Sequence, residues 1–256
     1  MTVLSRRRDG SSWIAVTKSA MLILKPYHIS TPAPHQIDVR LLEALVDRSR
    51  SEAWGEIEEA IQGFNSANTD SPDVRMEAEA VSLVGAFERA LGLRGGDEHE
   101  LATAFVQTLQ PVTSLRTVDC DRVKESPRRD RYAGYGSLGE AWVRDFFRLR
   151  GDHAHGKNAP KYTSLWSLQE HLLCGSFAFP LLVKARLVRE GCYAWSEEDL
   201  VHLEALEALV CAKHFEVRED ENEPYRQDEW SRILNKANTQ IRIRRWLEAN
   251  SAHVDA

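Results

Sequence analysis

The chain is short of cysteine. Its 256 residues include four, Cys120, Cys174, Cys192 and Cys211, widely scattered and with no Cys-x-x-Cys pair. Such spacing excludes a disulfide-dense scaffold and a zinc ribbon, and predicts reduced thiols in a cytoplasmic protein. An excess of positive charge is also missing. The formal net charge of -6 argues against holding nucleic acid by bulk charge and leaves room for a local basic site. No apolar run approaches the ~20 residues that a membrane-spanning helix needs, so no membrane association is expected. Arg6-Arg7-Arg8 precedes Trp13-Ile14-Ala15-Val16 in the manner of a secretory leader, but Lys18 interrupts the apolar part and no small-residue cleavage site follows. Internal repeats and low-complexity segments are absent.

What is there is ordinary in bulk: 43% hydrophobic and 28% charged residues, suited to one large domain, or one domain with appendages. Residues 1–35 form an N-terminal arm or hairpin. Within it Trp13-Ile14-Ala15-Val16 and Met21-Leu22-Ile23-Leu24 read as two short strands, stopped by Pro32 and Pro34. Residues 36–215 read as helical. Trp54, Ile57, Ile61 and Phe64 recur at three- and four-residue intervals, the stripe of one helix face. Ser71-Pro72-Asp73 predicts the start of a helix whose inward face is Met76, Ala80, Val84, Phe87 and Leu91. Asp97 is placed to cap a helix carrying Leu101, Phe105 and Leu109. Residues 112–136 read as a long polar connection.

Ser137-Leu138-Gly139-Glu140 has the form of a capping box, opening a helix with Leu138, Trp142, Phe146 and Leu149 inward. A long apolar helix from about Leu165 to Glu190, kinked at Pro180, and another capped by Ser196 follow. Residues 216–256 hold an acidic linker and an amphipathic helix, with Trp230, Leu234, Ala237 and Ile241 on one face and Arg232, Lys236, Arg242 and Arg245 on the other. The expected fold class is all-α, a helical bundle with a small N-terminal appendage.

The chemistry-bearing stretch is Phe146-Phe147-Arg148-Leu149-Arg150-Gly151-Asp152-His153-Ala154-His155-Gly156-Lys157. Arginine is a permanent cation whose planar fork matches phosphate oxygens. Histidine exchanges a proton near neutrality. One of each, Arg150 and His155, could bind a phosphodiester and move a proton on it. Five positions along a straight helix turn about 140°, so the two share a face only if the chain bends near Gly151, or else a second copy completes the site. Asp152 with His153 and His155 could alternatively be a metal pair on a strand, but the surroundings read as helix.

The run resembles the Arg-x4-6-His signature of the HEPN superfamily, most closely its Apea-like and Abi-like members. The upstream run Val81 to Leu91, with Glu88, is similar to a second helix of that family. The resemblance covers roughly residues 70–190. It implies a HEPN-like bundle and a metal-independent endoribonuclease acting as a homodimer on RNA, with no cofactor. The setting implied is prokaryotic antiviral defence or a toxin–antitoxin system, with an antitoxin or defence-complex protein as a further partner. It assigns catalysis to Arg150 and His155. Asp152 and His153 would be orienting groups, Arg148 and Lys157 supporting cations, and Glu88 a partner carried by its helix. Gly151 departs from the pattern, in which active members often have a polar residue. That keeps a catalytically inactive RNA-binding or dimerisation module in view, alongside a helical protein-interaction adaptor. Arg128, Arg129, Arg131, Tyr132 and Tyr135 interleave cations and rings, a composition suited to single-stranded RNA. Their alternative is a solvated loop paired with Asp119, Asp121 and Asp130.

Overall fold

The computed structural model describes residues 3–6, 12–15, 38–51, 54–68, 74–110, 115–154, 164–212, 235–243 and 246–247. Two strands, β1 (Val3–Arg6) and β2 (Ser12–Ala15), pair antiparallel with Val3 opposite Ala15. The pairing differs from the expected one: β2 overlaps the first expected strand, its partner precedes it, and Met21–Leu24 lies outside the described residues. Every other regular element described is helical, and the protein is all-α in class.

The long helices are α1 (Val39–Arg48), α2 (Trp54–Ala67), α3 (Met76–Ala90) and α4 (Glu98–Thr108). After two one-turn pieces, α5 (Asp121–Lys124) and α6 (Arg129–Tyr132), come α7 (Leu138–Ala154), α8 (Leu168–Arg189) and α9 (Glu197–Cys211). Residues 235–243 are helical within the expected C-terminal helix, with Ala237 buried and Lys236 and Arg242 exposed. Trp230, Arg232, Leu234 and Arg245 lie outside the description.

The helix starts follow from capping. The Asp97 carboxylate accepts the N–H groups of His99 and Glu100, both at 2.9 Å. Full capping boxes open α8 and α9, Ser167 with Glu170 and Ser196 with Asp199. At α7 the expected box is half formed. Ser137 Oγ accepts from Glu140 N at 3.1 Å, while Glu140 reaches past the cap to Gly136 N at 2.9 Å. The expected start of α3 at Ser71-Pro72-Asp73 falls outside the described residues, and the helix begins at Met76 behind Arg75. It ends in a Schellman motif. Gly92, at φ 76°, adopts a left-handed conformation while Leu93 N donates to Glu88 O at 2.8 Å.

The core is built around α8. Leu172, Cys174, Ala178, Phe179, Leu182 and Leu187 are among its buried residues. Gly175 permits close approach to α3, since a Cβ there would stand 2.7 Å from Leu83 Cδ2. The other centre is Phe87 of α3, ringed by Phe105, Trp142, Phe146 and Phe179 at centroid distances of 6.1 to 6.3 Å. The α7 stripe Leu138, Trp142, Phe146 and Leu149 is buried as expected. By length and composition α8 could cross a membrane, contrary to the expectation that no such segment exists. Most of it is instead packed against the other helices, and it carries buried His171, Lys184 and Arg186. The helix runs through Pro180 to Arg189, close to its expected end.

A second correction concerns the thiols. Cys120 and Cys211, 91 positions apart, form a disulfide with Cα atoms 5.8 Å from each other. It joins the start of α5 to the end of α9. Cys174 is a buried free thiol and Cys192 an exposed one. Scattered spacing concealed the pair because helix packing, not sequence proximity, brings the two together.

Candidate functional site

Arg150 lies on the last turns of α7, and α7 continues helically through Gly151 to Ala154. The chain therefore does not bend at Gly151. An added Cβ there would meet nothing within 4 Å. The Arg150 guanidinium stacks 4.3 Å from the Phe147 ring centre. Its Nη2 donates to Glu88 Oε1 on α3 at 3.1 Å, across 62 positions of sequence. The side chains are 25% and 13% exposed, so the pair is shielded without being sealed. Arg150 Nε is shut off from solvent and has no hydrogen-bond partner among the described residues. Glu88 Oε2 likewise has no partner among the described residues, and Glu88 lines an open cleft between α2 and α3.

Arg148 stands apart from this arrangement. Two positions along a helix turn about 200°, so Arg148 faces α4 while Arg150 faces α3. Arg148 Nε and Nη2, one edge of the guanidinium, both donate to the Glu98 carboxylate, and Nη1 donates to Tyr135 Oη at 3.0 Å. Arg144 adds ion pairs to Glu140 at 3.3 Å and Glu98 at 3.6 Å, and lies 4.9 Å over the Tyr135 ring. Arg148 is thus committed to clamping α4 on α7, and cannot support the same phosphate as Arg150.

The side chains of Asp152 and His153, and the whole of His155 and Lys157, lie outside the described residues. Arg128, Arg129 and Arg131 are exposed on the turn around α6. Tyr132 is fully buried, correcting its expected role as a base-stacking ring. It has no free face, because it packs edge-on to Trp166 and its hydroxyl donates to Asp145 at 3.2 Å. Tyr135 is half-buried beneath Arg144. The expected loop is in fact a series of short helical turns that delivers one tyrosine to the core and keeps the arginines outside.

Sequence reasoning missed the network behind Tyr132. Asp145, on the inner side of α7, accepts from the Ser164 hydroxyl and, at 3.1 Å, from Leu165 N. Ser164 Oγ also meets His171 Nε2 at 3.0 Å and accepts Trp166 N at 3.0 Å. The single Ser164 proton goes to Asp145, so His171 must donate through Nε2–H, leaving Nδ1 deprotonated. Nδ1 indeed has no hydrogen-bond partner among the described residues. Burial pushes the His171 pKa down against the opposing pull of Asp145, which agrees with a neutral ring stacked on Phe146 at 5.1 Å. Aspartate, serine and histidine here converge on one sealed point. No nucleophile is presented to a substrate, and the cluster fastens the 164–166 turn to α7 and α8. The signal for it was faint: Asp145 sits among Trp142, Phe146 and Leu149, where a carboxylate needs buried partners.

No protein-family model, curated protein or solved structure matches the chain.

Proposed function

We propose that the protein is a metal-independent endoribonuclease of the HEPN type, acting as a homodimer in prokaryotic antiviral defence or a toxin–antitoxin system. The observation that carries this reading is the Arg150–Glu88 pair. The side chains at the two positions singled out on separate helices by the family resemblance meet at 3.1 Å, with the guanidinium held over the Phe147 ring. Arg150 is thereby oriented before any substrate arrives, the arrangement that electrostatic stabilisation of a strained phosphate requires.

Cleavage through the 2′-hydroxyl needs a base for that hydroxyl, an acid for the departing 5′-oxygen, and cationic support for the phosphorane. One chain contributes one His155 and one Arg150. Two facing copies contribute a base, an acid and two cations, which is the chemical reason for a two-fold dimer. His155 moves the protons and Arg150 binds the phosphoryl oxygens. DNA, without the 2′-hydroxyl, is a poor substrate.

The test is cleavage of a mixed RNA pool in EDTA, wild type beside His155→Ala and Arg150→Ala. Products with 2′,3′-cyclic phosphate ends, lost in both variants, are the expected result. No cleavage by a folded dimer would sink the nuclease reading. It would favour an inactive RNA-holding module, to which the bare Gly151 already points: space for a polar side chain is there and none fills it.

A further inference from the structure

We propose that the open cleft beside Arg150, lined by the carboxylates of Glu59 and Glu88 and by Arg89 and Arg94, is a ribonucleotide subsite selecting guanine. The inference rests on the ribonuclease reading and deepens it by naming the base held next to the scissile phosphate.

The cleft measures about 390 Å³, within the ~300–1,000 Å³ usual for small-molecule sites. Glu56 and Glu59 of α2 form one wall, Gly85, Glu88 and Arg89 of α3 the other, and Arg94 reaches in from the turn after α3. The missing side chain at Gly85 lets Arg89 lie along the floor, where Nη1 donates to Gly85 O at 3.1 Å and a Cβ would intrude at 3.2 Å. Arg89 pairs with Glu59 at 3.2 Å and Arg94 with Glu56 at 3.3 Å. Both pairs are solvent-exposed, Arg94 at 90%, and exposed pairs are weak. A phosphate can therefore displace either carboxylate at small cost and gain a two-pronged guanidinium contact.

The acceptors decide which base fits. Glu59 and Glu88 each bond to one arginine, at 3.2 and 3.1 Å, and each keeps an oxygen with no partner among the described residues. Carboxylates accept hydrogen bonds and repel lone pairs. Guanine alone shows two adjacent donors, N1–H and N2–H, on its Watson–Crick edge. Adenine and cytosine each set one amino group beside a bare ring nitrogen, and uracil flanks its single N–H with two carbonyl oxygens. A carboxylate at that edge therefore rewards guanine and penalises the others. Base edges of single-stranded RNA are open to such reading. Glu88 also holds Arg150, so seating the base places its phosphate next to the proposed catalytic cation.

The test is calorimetric titration of the full chain at low salt with GMP, AMP, CMP, UMP and inorganic phosphate. GMP should bind at least about tenfold more tightly than the other four. Glu59→Gln should abolish that preference, and Arg94→Ala should weaken GMP about fivefold or more. Neither residue is buried, so both variants should fold, and circular dichroism checks it. Equal binding of all nucleotides and phosphate would reduce the cleft to an anion site and overturn the assignment. So would no binding at all, or GMP binding indifferent to both substitutions. The two readings fail separately. GMP selection without RNA cleavage would leave the cleft standing and remove the nuclease, and cleavage without GMP selection would do the reverse.

Discussion

Asp199 is the most heavily bonded buried carboxylate at the start of α9, held by Lys184, Tyr193 and Ser196. It caps α9 yet is 1% exposed. Its Oδ1 accepts from Lys184 Nζ, and its Oδ2 accepts from Tyr193 Oη at 2.8 Å and Ser196 N at 2.8 Å. Lys184 also reaches Asp38 at 2.6 Å, the residue that caps α1. One cluster thus ties the starts of α1 and α9 to the middle of α8. Burial alone would raise the Asp199 carboxyl, but Lys184, Ser196 and Tyr193 outweigh it and hold the pKa at about 2, below its ordinary 3.8. At about 1.4 kcal/mol per pH unit, the ionised carboxylate contributes about 2 kcal/mol of stability. Because the folded pKa is the lower one, this contribution is complete above pH ~4 and is lost as pH falls toward 2. Asp199→Asn should therefore be destabilised relative to wild type at pH 6, and the gap should shrink by about 2 kcal/mol between pH 5 and pH 2. Urea unfolding of both proteins across that range measures it. A gap that stays constant down to pH 2 would refute the assignment of the shift to this cluster.

Glu88→Gln removes the carboxylate that orients Arg150, so kcat for RNA cleavage should fall about fivefold, while loss of a part-exposed ion pair worth about 1 kcal/mol lowers the thermal midpoint by no more than a few degrees. An unchanged kcat would mean Arg150 needs no orienting. With Ellman's reagent the native protein should show one fast thiol, Cys192, with Cys174 reacting after unfolding, since burial raises its pKa. Cys120 and Cys211 should react only after reduction. Reduction should lower stability by ~2–4 kcal/mol for a loop of 91 residues, and four thiols in the unreduced unfolded chain would rule the pair out. Gly175→Ala sets two effects against each other. Alanine favours a helix interior by ~1 kcal/mol, while its Cβ would press 2.7 Å from Leu83 Cδ2 in a sealed core, at a cost of ~1–3 kcal/mol. Net destabilisation in urea is expected, and net stabilisation would mean α3 and α8 separate easily.

The helices were legible because their signals are local. The α7 stripe repeats at three and four residues, and Asp97 and Ser196 cap within their own turn. The extent of burial on α3 was not. Its periodicity marks Ala80, Val84 and Phe87, yet Glu79, Leu83, Ala86 and Ala90 are buried as well, because α2, α7 and α8 surround it. One stripe predicts one neighbour, and no spacing announces three. The disulfide and the Asp145–Ser164–His171 cluster were hidden for the same reason: their members are strangers in sequence. The polar composition of 112–136 suggested a loop, but composition does not show that Tyr132 points inward.

For the site, sequence adjacency misled in one place and served in another. Arg148 and Arg150 look interchangeable as cations two residues apart, and helical geometry alone sets them on opposite sides of α7. What decides their roles is the carboxylate each meets. Glu98 takes two donors of Arg148, Nε and Nη2, and Tyr135 takes a third, Nη1. Glu88 takes one donor from Arg150, and neither Arg150 Nε nor Glu88 Oε2 has a partner among the described residues. A guanidinium whose donors are taken serves packing. One held at a single point above Phe147 keeps donors for a phosphate. The contrast yields a sharper expectation than the motif itself. Arg148→Lys should lower stability, through loss of the two-pronged contact to Glu98, and leave RNA turnover unchanged at temperatures where the variant is folded. Arg150→Lys should do the opposite.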